Sequence, residues 1–242
     1  MAVVNRASVG FTLLDNFDKN YITNASISCN LRQNHCINKG NGNYAFVNLS
    51  DGDYAFEVSC PGYIPMRFDM SICSDKPETI VACMNIAKSS PRLLNLDYAV
   101  IRVKNGKDYA SNENIEVCLE SKVPFFRVAN DVSKEQNKVK LDIGYHSLLL
   151  YQDLMASDDA IIRLGLYSDE GYTAEPRCPD LEQSTLLKPV WNLKTDSDGY
   201  VVLPINKFYR QKEEVELTVR FNGKSKKIKA NTKSREEVEV EF

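Results

Sequence analysis

The chain has 242 residues, 43% of them hydrophobic and 26% charged, a globular rather than a disordered composition. Its 30 basic residues stand against 33 acidic ones, a formal net charge of -3 that argues against a dedicated nucleic-acid binder, whose domain would be distinctly basic. No stretch approaches the ~20 apolar residues needed to span a bilayer, and Met1 to Ser8 lacks the basic and apolar regions of a secretory signal, so the expectation is a cytoplasmic protein with no membrane partner.

Period-two alternation, the mark of half-buried strands, runs through most of the chain. Val9, Phe11 and Leu13 alternate before a polar turn at 15–20, and Ala25, Ile27, Cys29 and Leu31 make the next strand. The polar loop Lys39-Gly40-Asn41-Gly42-Asn43 supplies two glycines for a reversal. Tyr44 to Leu49 reads as a strand, Ser50 to Asp53 as an Asp-Gly turn, and Tyr54, Phe56, Val58 and Cys60 as the strand after it. Pro61-Gly62 breaks the chain, and strands follow at 64–72 and 80–86. Six short strands with turn residues between them predict a sandwich over 1–87, self-supporting through apolar burial at ~25 cal/mol per Å².

Residues 87–92 read as a polar linker ended near a proline. A second alternating series occupies 98–103 and 115–119, then resumes at 201–205, 215–221, 228 and 238–242. Its Asp198-Gly199-Tyr200 turn parallels Gly42-Asn43-Tyr44. A divergent second sandwich over 93–242 is therefore expected, interrupted by an insertion at about 122–189. The insertion is apolar enough to hold extra strands, with a short helix expected at 134–140. The basic run Lys224 to Lys229 lies between acidic runs and reads as charged faces of neighbouring strands.

At residues 8–72 the motifs Leu14-Asp15, Asn24-Ala25-Ser26-Ile27, Gly42-Asn43-Tyr44-Ala45-Phe46, Asn48-Leu49, Gly52-Asp53-Tyr54 and Pro61-Gly62-Tyr63 together resemble the carboxypeptidase regulatory-like domain. The Gly-x-Pro usual in that family near 19–21 is absent. The resemblance implies a transthyretin-like, immunoglobulin-like sandwich without catalytic residues, acting as a spacer, folding aid or docking module. A free-standing version is also similar to accessory proteins of phage tails and contractile injection particles, which implies incorporation into such a particle. The fold expectation is thus all-β, two tandem sandwiches, the second with a long insertion.

Candidate chemistry is sparse. Of the two histidines, His35 lies in a polar loop beside Cys36, where strand neighbours point to opposite faces. His146 has no nucleophile elbow or third partner. Asp196, Asp198 and Gly199 look like part of a calcium loop, but Lys207 stands where its glutamate should be, and a hairpin turn explains them. Seven cysteines at 29, 36, 60, 73, 83, 118 and 178 fit no zinc spacing and read as reduced thiols, several of them, such as Cys29 and Cys60, at inward strand positions, with an inter-sheet disulfide as the alternative. No catalytic residue, metal or cofactor is expected.

The better candidate for a contact surface is aromatic: Phe125, Phe126, Tyr145, Tyr151, Tyr167 and Tyr172 in the insertion, with the sole tryptophan, Trp191. Core filling is the competing reading of the insertion aromatics, and packing the favoured reading of Trp191 over a sugar-stacking platform. The leading functional expectation is a non-catalytic interaction protein with an unidentified protein partner. A carbohydrate-binding or adhesion module is the second reading, and an enzyme with its site in the insertion the third.

Overall fold

A computed structural model describes residues 6–30, 36–73, 75–120, 126–133, 138–142, 152–156, 160–168, 171–175, 180–205 and 213–242. Strands are the dominant structure of the described residues, and the chain divides into two compact units, Met1–Arg92 and Leu93–Phe242. An all-β fold of packed sheets is what the alternation predicts.

The first unit holds β1 (Ala7–Asp15), β2 (Ser26–Cys29), β3 (Ile37–Gly40), β4 (Asn43–Val47), β5 (Gly52–Ser59), β6 (Met66–Ile72) and β7 (Glu78–Met84). One sheet runs β3-β4-β1-β7, the other β2-β5-β6, and β1 and β7 are parallel. The sequence reading had six strands here; the seventh, β3, occupies part of the expected polar loop, and the reversal tightens to Asn41-Gly42. Between the sheets Phe56 meets Phe46 at 5.1 Å and Phe11 at 5.3 Å between ring centroids, with all three rings fully buried. Such aromatic pairs add ~0.5–1.5 kcal/mol each beyond their buried area. Tyr44 is buried; its hydroxyl donates to the Ile22 carbonyl at 3.2 Å and accepts the Ala25 amide at 3.0 Å.

Residues 87–92 are more than a spacer. After a turn, a short 3-10 helix (Pro91–Asn95) begins, and Arg92 closes onto Asp15, Asp18 and Tyr63. Two motifs of the sequence, Leu14-Asp15 and Pro61-Gly62-Tyr63, therefore meet: the Tyr63 hydroxyl donates to the Asp15 carboxylate at 2.8 Å.

The second unit holds β8 (Tyr98–Asn105), β9 (Asp108–Tyr109), β10 (Asn114–Leu119), β11 (Phe126–Arg127), β12 (Lys138–Val139), β13 (Gln152–Met155), β14 (Ile161–Ser168), β15 (Gly171–Glu175), β16 (Leu186–Lys194), β17 (Tyr200–Pro204), β18 (Glu214–Phe221), β19 (Lys224–Asn231) and β20 (Glu237–Glu241). Its smaller sheet runs β17-β8-β20, with β9 on β8. The larger runs β12-β15-β14-β13-β16-β10-β18-β19, with β11 on β16. The insertion is a set of strands added to the free edge of β10, and β16 carries it through Lys194, beyond the expected limit at 189. Lys138-Val139, within the expected short helix, is strand, because it pairs with Tyr172-Thr173. The rest of that expectation, 134–137, lies outside the described residues.

The two units repeat one plan. β8 lies between β17 and a parallel β20, as β1 lies between β4 and a parallel β7; β10-β18-β19 repeats β2-β5-β6. The correspondence reaches single hydrogen bonds. The Leu13 amide donates to the Gly42 carbonyl at 2.9 Å, and Val103 to Gly199 at 2.9 Å. The Ile22 amide returns to Leu13, and Ala110 to Val103, again at 2.9 Å in each case. Both glycines have positive φ, 70° and 79°, and an added Cβ would lie 2.9 Å from the Leu13 carbonyl oxygen or 3.0 Å from that of Val103. Gly199 thus matches Gly42, so Tyr200 stands where Asn43 does and Val201 takes the place of Tyr44. The turns correspond one residue away from their sequence likeness.

Candidate functional site

Three of the expected contact aromatics are buried. Phe126 is 5% exposed, Tyr172 1% and Trp191 6%, and all three belong to the core of the second unit. This corrects their assignment to a contact surface: β11, β15 and β16 turn these rings inward, where large apolar area does most for folding. Tyr167 pairs through its backbone with Tyr172 in the β14–β15 ladder. Phe125, Tyr145 and Tyr151 lie outside the described residues, as do both histidines, His35 and His146.

The acidic turn at 196–199 is a hairpin connection. The Asp196 carboxylate accepts the amides of Asp198 and Tyr200, both at 2.9 Å, so its oxygen serves the backbone. Among the described residues no group of three or more His, Cys, Asp or Glu side chains is placed to hold a metal ion. The six described cysteines are free thiols. Burial pushes the Cys36 and Cys118 thiols up to about 11, so both stay protonated near neutrality and are poor nucleophiles.

An ordered and partly exposed cluster lies on the smaller sheet of the second unit. The alternation that sends Ala99, Ile101 and Val103 inward turns Arg102 and Lys104 of β8 outward. Tyr109 reaches the same face from β9, Tyr200 from β17, and Glu237, Glu239 and Glu241 from β20. The Arg102 guanidinium carbon lies 3.5 Å from the Tyr109 ring centroid and 4.6 Å from that of Tyr200, so the cation is held against two aromatic rings. Its Nε donates to the Asp198 carbonyl at 3.3 Å, which fixes the plane of the fork. Lys104 Nζ is 2.6 Å from Glu239 and the Tyr200 hydroxyl 3.1 Å from Glu237. The hydrogen bond to Glu239 moves Lys104 above the usual lysine range.

The arrangement holds its long side chains in fixed positions through stacking and hydrogen bonds. Sequence reasoning passed over it because its members come from four strands. The available signal was the polar phase of 98–105, with arginine and lysine two residues apart, followed by a tyrosine after the Asn105-Gly106 turn.

The larger sheet carries a second polar surface, laced by cross-strand pairs. Arg220 meets Glu116 at 3.1 Å, Lys188 meets Glu120 at 2.6 Å, and Arg163 binds Asp153 through two bonds of 2.7 and 3.1 Å. Burial opposes ionisation of Glu120, but its bonds from Lys188 and Thr218 outweigh it and hold the carboxyl below its usual range. These charges satisfy one another across the ladder, as cross-strand pairs do.

No known protein-family model and no curated protein matches the chain. Among the described residues no helix is long and apolar enough to cross a membrane.

Proposed function

We propose that this chain is a non-catalytic interaction protein that docks on a protein partner through its sandwich units. The observation that carries this reading is Arg102 stacked against Tyr109 and Tyr200 on a partly exposed sheet face. Arginine and tyrosine are the residue types enriched at the energetic centres of interfaces, and here they are already ordered. The charged surround of Lys104, Glu237 and Glu239 suits the polar rim of such a contact. Incorporation into a phage-tail-like particle belongs to the same proposal and rests on the resemblance of residues 8–72.

The carbohydrate-binding reading relied on Trp191 as a stacking platform, and that ring lies in the core. It has no further support.

The test compares tagged wild-type chain with Arg102→Glu and Tyr109→Ala in capture from native extract. A partner enriched by wild type and lost with both variants supports the proposal, given unchanged circular dichroism. Retention of every captured protein by the variants would sink the Arg102 face as the docking site. Co-sedimentation with assembled particles, also lost in the variants, would support the particle setting.

A further inference from the structure

The two units carry a tyrosine at the same point of their shared plan. Tyr21 bridges to Leu14 as Tyr109 pairs with Lys104, and the amides of the next residues, Ile22 and Ala110, return to Leu13 and Val103. Each tyrosine also crosses its turn glycine. A Cβ added to Gly42 would lie 3.0 Å from Tyr21 Cβ, and one added to Gly199 would lie 2.9 Å from Tyr109 Cβ. The registers then match Thr12 with Arg102, Asn43 with Tyr200 and Asn41 with Asp198.

What covers the two rings differs. Over Tyr109 lies the Arg102 guanidinium, 3.5 Å from the ring centroid, with its Nε on the Asp198 carbonyl. Thr12, which ends at its γ atoms, supplies no such cover in the first unit. Lys19, two residues before Tyr21, is turned to Asn16 and Cys83. Tyr21 is 59% exposed, and among the described residues no cation or second ring stacks on it and its hydroxyl has no hydrogen-bond partner.

The bed at the matching positions is made of neutral oxygens. The Thr12 hydroxyl donates to Asn43 Oδ1 at 2.8 Å, and Asn43 Nδ2 donates to the Asn41 carbonyl at 3.1 Å. Thr12 thus spends its only proton within the pair, and all three oxygens keep an acceptor lone pair. The Asn41 carbonyl is the counterpart of the one that takes Arg102 Nε.

We infer that the Tyr21 face of the first unit receives an arginine side chain of a protein partner, stacked on the ring as Arg102 is stacked on Tyr109. The second unit supplies this guanidinium from its own β8, and the first leaves the place to the partner. A planar cation with five donors and no acceptor suits an open aromatic face beside acceptor oxygens. An ammonium lacks the plane, and a carboxylate would meet lone pairs and the negative face of the ring. The inference stands on the internal repeat and not on the Arg102 face, which lies on the other unit.

NMR titration of the full chain, carrying isotope-labelled tyrosine rings, with the peptide acetyl-Gly-Arg-Gly-amide tests it. The Tyr21 signal, assigned by its absence from Tyr21→Ala, should shift and saturate in the millimolar range expected of one side chain. The corresponding lysine peptide should bind more weakly by roughly 3-fold or more. The citrulline peptide, which keeps the plane and loses the charge, should leave the signal in place. Thr12→Arg supplies the guanidinium within the chain. With unchanged circular dichroism, it should shift the Tyr21 signal without peptide and suppress the response to peptide. A Tyr21 signal that is unmoved at roughly 100 mM arginine peptide, or that moves equally with all three peptides, overturns the inference. So does a signal that Thr12→Arg leaves unmoved, or one that answers glucose and not the arginine peptide. The readout is the Tyr21 ring itself, so its failure is distinct from a failure of capture through Arg102.

Discussion

The Arg92 guanidinium closes on the carboxylate of Asp15, 77 residues earlier in the chain, and that carboxylate side chain is 1% exposed. One Asp15 oxygen accepts the Phe17 amide at 2.6 Å, and the other takes the Tyr63 hydroxyl together with Arg92. Arg92 also reaches Asp18 at 2.6 Å. Burial is the largest influence on Tyr63 and, with the bond to Asp15, moves its phenol above the usual range. Arg92→Ala would leave a buried carboxylate without its counter-charge. The expected loss is about 2–4 kcal/mol, kept below the fully buried case because Arg92 is 38% exposed. Arg92→Lys should recover only part, since an ammonium lacks the fork that spans both aspartates. Urea unfolding followed by far-ultraviolet circular dichroism measures both, and an Arg92→Ala loss under ~0.5 kcal/mol, the range of an ordinary surface change, would refute the account.

Gly42 and Gly199 predict a paired result. Alanine at either site meets a backbone carbonyl and keeps a positive φ, which costs roughly 1–3 kcal/mol. The cores of the two units share no residue, and the sole tryptophan, Trp191, belongs to the second. Gly199→Ala should therefore lower the denaturant midpoint seen by tryptophan fluorescence. Gly42→Ala should lower a transition seen by circular dichroism and leave the tryptophan transition in place. If Gly42→Ala moves the tryptophan signal as far as Gly199→Ala does, the two units do not unfold separately.

The same two glycines show how much of the fold was legible. Alternation located most of the longer strands of both units, because each buries one face and period two records that directly, while β3 and the short strands β11 and β12 escaped it. The pairing of turns was off by one residue, since Asp198-Gly199-Tyr200 and Gly42-Asn43-Tyr44 look alike as words while the backbone aligns their glycines. Pairing partners carry no local signature, so neither the placement of β16 on β10 nor the closure of Arg92 on Asp15 could be read from neighbours in sequence. The aromatics of the insertion failed for a related reason. Phe126, Tyr172 and Trp191 sit on added strands whose inner face is set by which edge they extend, and a one-residue change of register would have turned each outward. The Arg102 cluster was hidden similarly, with one half in the first strand of the unit and the other near its end.

Trp191→Ala should cost about 3–5 kcal/mol, the range for removing a large buried ring. Trp191→Phe, which keeps an apolar ring, should cost less. Before mutation, the emission maximum of the folded chain should be blue-shifted relative to the urea-unfolded chain, as a 6% exposed indole requires. Emission unchanged on unfolding would contradict the burial of this ring.

Cys118 gives a pH dependence of definite sign. It is 1% exposed and packs with Met155 and Val190 on the outer side of the larger sheet, away from the main core. Burial, reinforced by Glu120, raises its thiol from 9.0 to about 11. A group that holds its proton more tightly when folded contributes fully below the unfolded value, and the contribution falls as pH rises toward the folded one. Between pH 9 and 11 the unfolded chain gives up the Cys118 proton first, and stability should decline by about 2–3 kcal/mol from this residue. Cys118→Val, apolar and suited to a strand, should flatten that part of the curve and leave stability at pH 7 little changed. Because Cys36 titrates in the same window, the quantity to compare is the difference between wild type and variant across pH 8 to 11. A difference that does not grow with pH would mean that the Cys118 thiol ionises as readily in the folded chain as in the unfolded one.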